Sequence, residues 1–270
     1  MPNAQRNTTR EARYLSQVRD DACSRERFSE ETERVRVLRM NFTYAYLIVS
    51  TLLLLVWLFL YWVKPQVRKE MLLVSLFTAP LGLTEPLFVP SYWFPFTLFD
   101  LARLTGFDLE SLLFSFAVGG IAAVLYESLL GKSRKHINVH EMHQGRHRFH
   151  RLALISPFIA FGILYFLTSL NPIYSATFAM VIGAIATWLC RPDLFRAMLT
   201  GAILFLALYF AVFLVGFVWL FPGIVEAVWN LSAISGILIA GVPIEELLFA
   251  GSLGAMWSSI YEHFNWYKFS

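Results

Sequence analysis

Residues 243–262 read PIEELLFAGSLGAMWSSIYE, an apolar run interrupted by Glu245, Glu246 and Glu262. Residues 108–127 read DLESLLFSFAVGGIAAVLYE, with Asp108, Glu110 and Glu127 as the acids. Set side by side, the runs share Glu110/Glu245, Leu112/Leu247, Leu113/Leu248, Phe114/Phe249, Gly119/Gly254, Tyr126/Tyr261 and Glu127/Glu262. A carboxylate at a bilayer centre costs about 2.5–3.5 kcal/mol on the mildest scale. Keeping such acids twice, at one spacing, predicts a duplicated unit whose carboxyls carry chemistry. Glu85, in TEPLFVP, falls at a similar depth. Glu85, Glu110, Glu245 and Glu246 are thus expected to converge on one half of the membrane, with no basic residue in a span beside them. The chemistry open to them is proton transfer. An apolar pocket disfavours the charged carboxylate, so at least one acid of the pair is expected to hold its proton near neutral pH. Consecutive helical residues point about 100° apart, so one acid faces a cavity while its neighbour binds a partner helix. The alternative for these acids is helix–helix hydrogen bonding or snorkelling to the interface.

The elements that must position them follow from composition. The chain has 270 residues, 57% hydrophobic and 15% charged, where soluble domains carry about 25% charged residues. Uncharged runs such as 41–63 make it an all-α, polytopic membrane protein. Seven transmembrane helices are expected near 41–63, 71–89, 109–130, 152–170, 173–190, 197–221 and 241–262. The stretch 90–108 reads as an interfacial or re-entrant segment, and 222–240 occupies the matching place in the second half. Gly241 and Pro243 break the chain before the last span, and Pro243 suits that helix's first turn. Spans 1–3 match spans 5–7, so span 4 restores chain direction. The layout is a 3+1+3 parallel internal repeat about a pseudo-twofold axis along the membrane normal. The expected divisions are a polar charged tail over 1–39, a first three-helix repeat over 40–131, a basic His-rich loop and linker helix over 132–170, and a second repeat over 171–270.

Loops 64–70, 131–151 and 191–196 and the C-terminal end collect the basic residues, whereas the opposite connections hold only Arg103. The positive-inside rule makes the basic loops cytoplasmic and the N-terminus external, in the cell membrane. The arginine-rich tail resists that orientation and has no apolar stretch of a secretory signal. Residues 10–39 read as a charged helix or a disordered tail, and Met40 is expected to be the natural start.

The remaining chemistry-bearing residues are fewer. Cys23 and Cys190 are too far apart in kind and place to suggest a disulfide or a metal-ligand spacing. His136, His140, His143, His147 and His150 recur at 4, 3, 4 and 3 residues, one stripe if the loop is helical. Such HxxxH pairs can bind zinc or iron, which raises a membrane di-iron hydroxylase as a rival. One cluster and a lone His263 are few ligands for that, and a basic stripe resting on anionic headgroups is the favoured reading. Glu127 and Glu262 are expected to pair with Lys132, Arg134 or His263. Tyr92, Trp93, Trp62, Trp219 and Trp266 fall where an interfacial aromatic belt is expected. Phe114, Phe249 and Trp257 lie near the acids and are expected to line a substrate cavity and shield a cation with their π faces. There is no GxGxxG, P-loop or Ser-His-Asp set, so no nucleotide or flavin is indicated. Neither a cofactor nor a metal is expected, and the net charge of +3 implies no nucleic acid. Carboxylates, aromatics and an oily pocket suit acid-started carbocation chemistry on a membrane-soluble polyene.

The PIEELLF run at 243–249, the tyrosine–glutamate at 261–262, their echo over 110–127 and the 3+1+3 layout resemble the flavin-free, integral-membrane lycopene β-cyclase family. The resemblance covers roughly 41–263 and is strongest in the second-half PxEE motif. It implies redox-neutral closure of acyclic lycopene ends to β-ionone rings, with Glu245 and Glu246 essential and Glu110 and Glu85 as first-half counterparts. The first half departs from the motif, reading DLES at 108–111. The expected partners are a polyene or isoprenoid lipid in the bilayer and either a second copy of the chain or carotenoid-pathway enzymes. The alternatives are a carotenoid- or lipid-binding or transport protein without catalysis, and an isoprenoid hydratase.

Overall fold

The computed structural model describes residues 37, 42–131, 133–138, 142 and 145–269. The expectations for the tail 1–39 and for a start at Met40 therefore fall outside the described residues, apart from Val37. The chain divides into two compact units, Met1–Phe42 and Thr43–Ser270, and every element below belongs to the second.

The fold is all-α. Helix α1 (Ala45–Val63) is an uninterrupted apolar run. It ends at Lys64, whose φ −121°, ψ 75° is set by the proline that follows, because a residue before proline is excluded from the helical region. Pro65 then opens a 3₁₀ turn leading into α2 (Arg68–Thr78). From Ala79 to Leu87 the chain tightens into 3₁₀ geometry containing Pro80 and Pro86, since proline cannot join an α-helical ladder. A linker with the short helix α3 (Leu101–Thr105) leads to α4 (Leu109–Leu130). Asp108 caps α4 by accepting from the Ser111 N–H at 2.6 Å, and Gly131 ends it at φ 62°, the left-handed stop that glycine takes without strain.

Strand β1 (Arg134–His136) precedes α5 (His150–Leu167), α6 (Pro172–Cys190) and α7 (Phe195–Phe213), which a π-helical turn extends to Trp219. The junction between α6 and α7 repeats that between α1 and α2: Arg191 takes φ −131°, ψ 73° and Pro192 opens a 3₁₀ turn. The short helix α8 (Ile224–Val228) and the hairpin of β2 (Leu238–Ile239) and β3 (Val242–Pro243) follow. The hairpin turns through Ala240 and Gly241, both at positive φ, the geometry of tight two-residue hairpins. Helix α9 (Ile244–Trp257) starts one residue after Pro243, not at it. A break at Ser258–Ser259 separates it from α10 (Ile260–Asn265), and β4 (Tyr267–Phe269) pairs antiparallel with β1.

Among the described residues, five helical stretches are long and apolar enough to cross a membrane: 45–63, 109–130, 147–167, 172–190 and 192–219. The expected crossings 71–89 and 241–262 are instead broken, the first by its prolines and the second at Ser258. Much of α5 exposes its apolar side chains, Ile155, Phe158, Ile163 and Phe166 among them, as a lipid-facing helix does. The inner helices approach closely through small residues. A side chain at Gly119 would collide with Thr78 of α2, and a Cβ at Gly254 would lie 2.8 Å from the Gly201 carbonyl oxygen of α7. Helices α4 and α9 thus form the interior on which the site is built.

Candidate functional site

A cavity of about 350 Å³ lies between α4, α9 and the outer helices, inside the ~300–1,000 Å³ range of small-molecule sites. Its wall includes Phe114, Phe249 and Trp257 together with two of the four singled-out acids, Glu85 and Glu246. Glu110 and Glu245 are just as deeply buried but do not line it.

Glu246 stands in the first turn of α9 and accepts three hydrogen bonds. Tyr92 Oη donates to Oε1 at 2.7 Å, Trp229 Nε1 to Oε1 at 3.0 Å, and Tyr209 Oη to Oε2 at 2.6 Å. The donors come from three parts of the chain. Tyr209 is on α7, while Tyr92 sits in the linker expected to be interfacial or re-entrant and Trp229 in its second-half counterpart. Those linkers cross as a short antiparallel bridge at Trp93 and Trp229: Phe94 N–H donates to the Val228 carbonyl and Asn230 N–H to the Tyr92 carbonyl, each at 2.8 Å. Backbone pairing across the molecule thus aims two polar rings at one carboxyl.

Glu85 receives a relay. Ser111 Oγ donates to Glu85 Oε2 at 2.6 Å, which leaves the Tyr46 hydroxyl, 3.0 Å away, as the donor to Ser111. Ser111 is the position that aligns with Glu246. The acid absent from the first-half motif is thus replaced in space by Glu85, brought in by the 3₁₀ segment.

Glu110 and Glu245 have matching partners. Glu110 Oε1 accepts the Leu98 N–H at 2.7 Å. Glu245 Oε1 accepts the Ser235 N–H at 2.9 Å and the Tyr174 hydroxyl at 2.6 Å. Each anchors the linker that precedes its own helix. The expected split of the neighbouring acids takes this form: Glu246 faces the cavity, and Glu245 holds Tyr174 of α6 and the linker. Among the described residues, no ion pair reaches any of the four acids; those present gather on Arg134 and Arg191 at the basic end.

Aromatic rings complete the wall. Tyr46 stands edge-on to Trp93 with centroids 4.8 Å apart, Trp93 packs on Trp229 at 5.5 Å, and Phe213 and Phe217 lie 5.3 Å from Trp229. On the flank the wall includes Leu81 and Phe158, both also exposed on the outer apolar surface.

Several sequence expectations are corrected. Tyr92 is a buried partner of Glu246 rather than a belt residue, and Trp266 stacks on His150 at 4.0 Å. Trp62 and Trp219 remain exposed, as belt residues do. The histidines do not form one helical stripe, because His136 is in β1, His147 in a 3₁₀ turn and His150 at the start of α5. His147 and His150 are buried, so they do not rest on headgroups; His140 and His143 lie outside the described residues. Glu127 and Glu262 do meet Arg134, at 3.0 and 3.7 Å, and Glu70 joins them at 2.7 Å; Lys132 is outside the described residues. Tyr46, Ser111, Tyr209 and Trp229 carried no periodic signal.

Residues 171–264, from the Asn171 cap of α6 into α10, match the family model described as lycopene cyclase. No curated protein and no solved structure matches the chain. Over residues 171–264 the chain carries the pattern of the lycopene cyclase family, and its long apolar helices are consistent with the flavin-free membrane type of that family.

Proposed function

We propose that the chain is a carotenoid cyclase acting within the bilayer, in which Glu85 and Glu246 exchange protons with an acyclic polyene end held in the cavity. The observation that carries this reading is that two carboxyls from different elements wall one apolar, aromatic-lined cavity beside a flank of exposed apolar side chains. Glu85, fed by the Tyr46–Ser111 relay, is the general acid. It adds a proton to the terminal double bond, leaving a tertiary cation. A nearby double bond of the same chain attacks that cation, closing a six-membered ring and moving the charge onto a ring carbon. Glu246 accepts three hydrogen bonds and so presents a fixed carboxylate, which balances the cation and removes a ring proton. One proton enters and one leaves, so the product keeps the mass of the substrate and no oxidant is needed. Phe114, Phe249 and Trp257 shield the cation from water through their π faces. Glu110 and Glu245 position the two linkers and do not touch the reacting atoms.

The 3+1+3 parallel repeat belongs to the same proposal. The matched Lys64–Pro65 and Arg191–Pro192 junctions support it, as do the close packing of Gly119 and Gly254 and the like roles of Glu110 and Glu245. The basic loops are placed on the cytoplasmic side of the cell membrane.

Expression in a lycopene-accumulating bacterium tests the activity. A pigment absorbing at shorter wavelength with unchanged mass is expected from the wild type, and unchanged lycopene from Glu246→Gln. A product heavier by one water would assign a hydratase instead. Bound but unaltered lycopene would assign a carrier.

A further inference from the structure

At the basic end, away from the cavity, four side chains from four places in the chain meet. They are His147 of the 3₁₀ turn before α5, His150 at the first position of α5, Cys190 at the last position of α6, and His263 of α10. All four are buried, His263 completely. The Cys190 sulfur lies 3.6 Å from His147 Nδ1 and 3.6 Å from His150 Nδ1. One ring nitrogen each of His150 and His263 lies within 4.8 Å of that sulfur and of the other.

From these contacts we infer a structural zinc site with Cys190, His147, His150 and His263 as ligands. A thiol can give its hydrogen to one imidazole and accept from a second, but the open nitrogen of His263 is then left out, whereas one cation serves the sulfur and all three rings. Tetrahedral zinc with Zn–S of about 2.3 Å and Zn–N of about 2.0–2.1 Å sets sulfur and nitrogen about 3.6 Å apart, the spacing found twice here. The second observation is at His263. Its Nδ1 lies 3.2 Å from the Thr187 hydroxyl, while its Nε2 is buried with no hydrogen-bond partner among the described residues. An outer hydrogen bond that fixes one ring nitrogen and leaves the other open is how metal-bound imidazoles are oriented. Trp266 covers the cluster, stacked on His150 at 4.0 Å and edge-on to His147 at 5.1 Å. The neighbouring Arg191 guanidinium is balanced by Asp193, which it contacts at 2.9 and 2.6 Å. Four protein ligands leave no open position for oxygen or substrate. The site is therefore a staple that fastens the linker helix α5 and the C-terminal helix α10 to α6, not the di-iron centre that the histidine spacing raised.

The test uses the full chain, purified in detergent without a polyhistidine tag from zinc-supplemented cells. Elemental analysis is expected to give one zinc per chain. Replacement by cobalt should produce a sulfur-to-cobalt charge-transfer band and the intense visible bands of a tetrahedral site. Cys190→Ser should abolish the charge-transfer band, and His263→Ala should weaken metal retention by at least about tenfold. Wild-type protein with no zinc above background and no cobalt charge-transfer band would overturn the site. So would zinc content unchanged in both variants. If neither variant folds, the wild-type metal content and cobalt spectrum still decide. None of these readouts depends on cyclase activity.

Discussion

Two sets of buried acids, one at the cavity and one at the basic end, have different company. At the cavity, Glu85 and Glu246 meet hydroxyls, an indole N–H and rings, and no described cation. At the basic end, Glu70, Glu127 and Glu262 surround Arg134, which donates to Glu127 at 3.1 Å and stacks over Tyr261 at 5.2 Å. Burial works against the charge on Arg134, but Glu70, Glu127 and Glu262 outweigh it and hold the guanidinium above its ordinary value. The two pairs of aligned glutamates, Glu110/Glu245 and Glu127/Glu262, are alike in sequence and equally buried. Burial alone therefore does not mark a reacting acid. What separates the ends is a fixed counter-charge: an acid locked to an arginine has little freedom to trade protons, whereas one held by hydroxyls beside an empty volume can do so.

The comparison breaks first at the cavity acids. Glu246→Gln and Glu85→Gln should each lower turnover by about 10²–10⁴-fold, the usual contribution of a general acid or base, with the protein still extractable and folded. Pigment yield per unit of membrane protein measures this. If Glu85→Gln cyclised at the wild-type rate, Glu85 would be a packing residue and the proton would enter elsewhere.

Arg134→Met should show the opposite pattern. Removing the cation leaves three buried acids uncompensated, a loss of about 3–5 kcal/mol in stability, seen as a lower melting temperature in detergent. Turnover per folded molecule should stay within about threefold of wild type, well short of the 10²-fold loss of a missing acid or base. A large fall in turnover at unchanged stability would mean that the basic end takes part in the chemistry.

Tyr209→Phe sharpens the account of Glu246. It removes one hydrogen bond to a charged group, about 1.5–3 kcal/mol, and should slow cyclisation by about ten- to a hundredfold. The smallest effect is expected from Glu245→Gln, because a glutamine carbonyl can still accept from Ser235 and Tyr174. The loss there is about 1 kcal/mol, a few-fold in rate. Equal losses for Glu245→Gln and Glu246→Gln would contradict the division of labour between the neighbours.

Much of this arrangement was legible in the sequence, and the reasons are local. Apolar runs revealed α1, α4, α6 and α7, because a bilayer demands length and hydrophobicity. The offset between consecutive helical residues foretold that one acid of the pair would face the cavity and the other a partner. Which one did so was not legible, because it depends on where α6 places Tyr174. Ser111 read as a lost acid, since nothing in the first-half motif indicates that Glu85 folds back onto it. Tyr92 read as a belt residue because span ends usually are; only the bridge between its neighbour Trp93 and Trp229, 136 positions further along the chain, turns it inward. The histidine stripe failed because its periodicity assumed one helix, where the chain makes a strand, a turn and a helix start.

The most direct test of acid-started ring closure is cyclisation in deuterium oxide, using membranes that carry the wild-type chain and added lycopene. Each ring closed by an acid of the protein should retain one solvent-derived deuterium that does not wash out, and the product mass should rise accordingly. Rings formed without deuterium would contradict the acid-started mechanism.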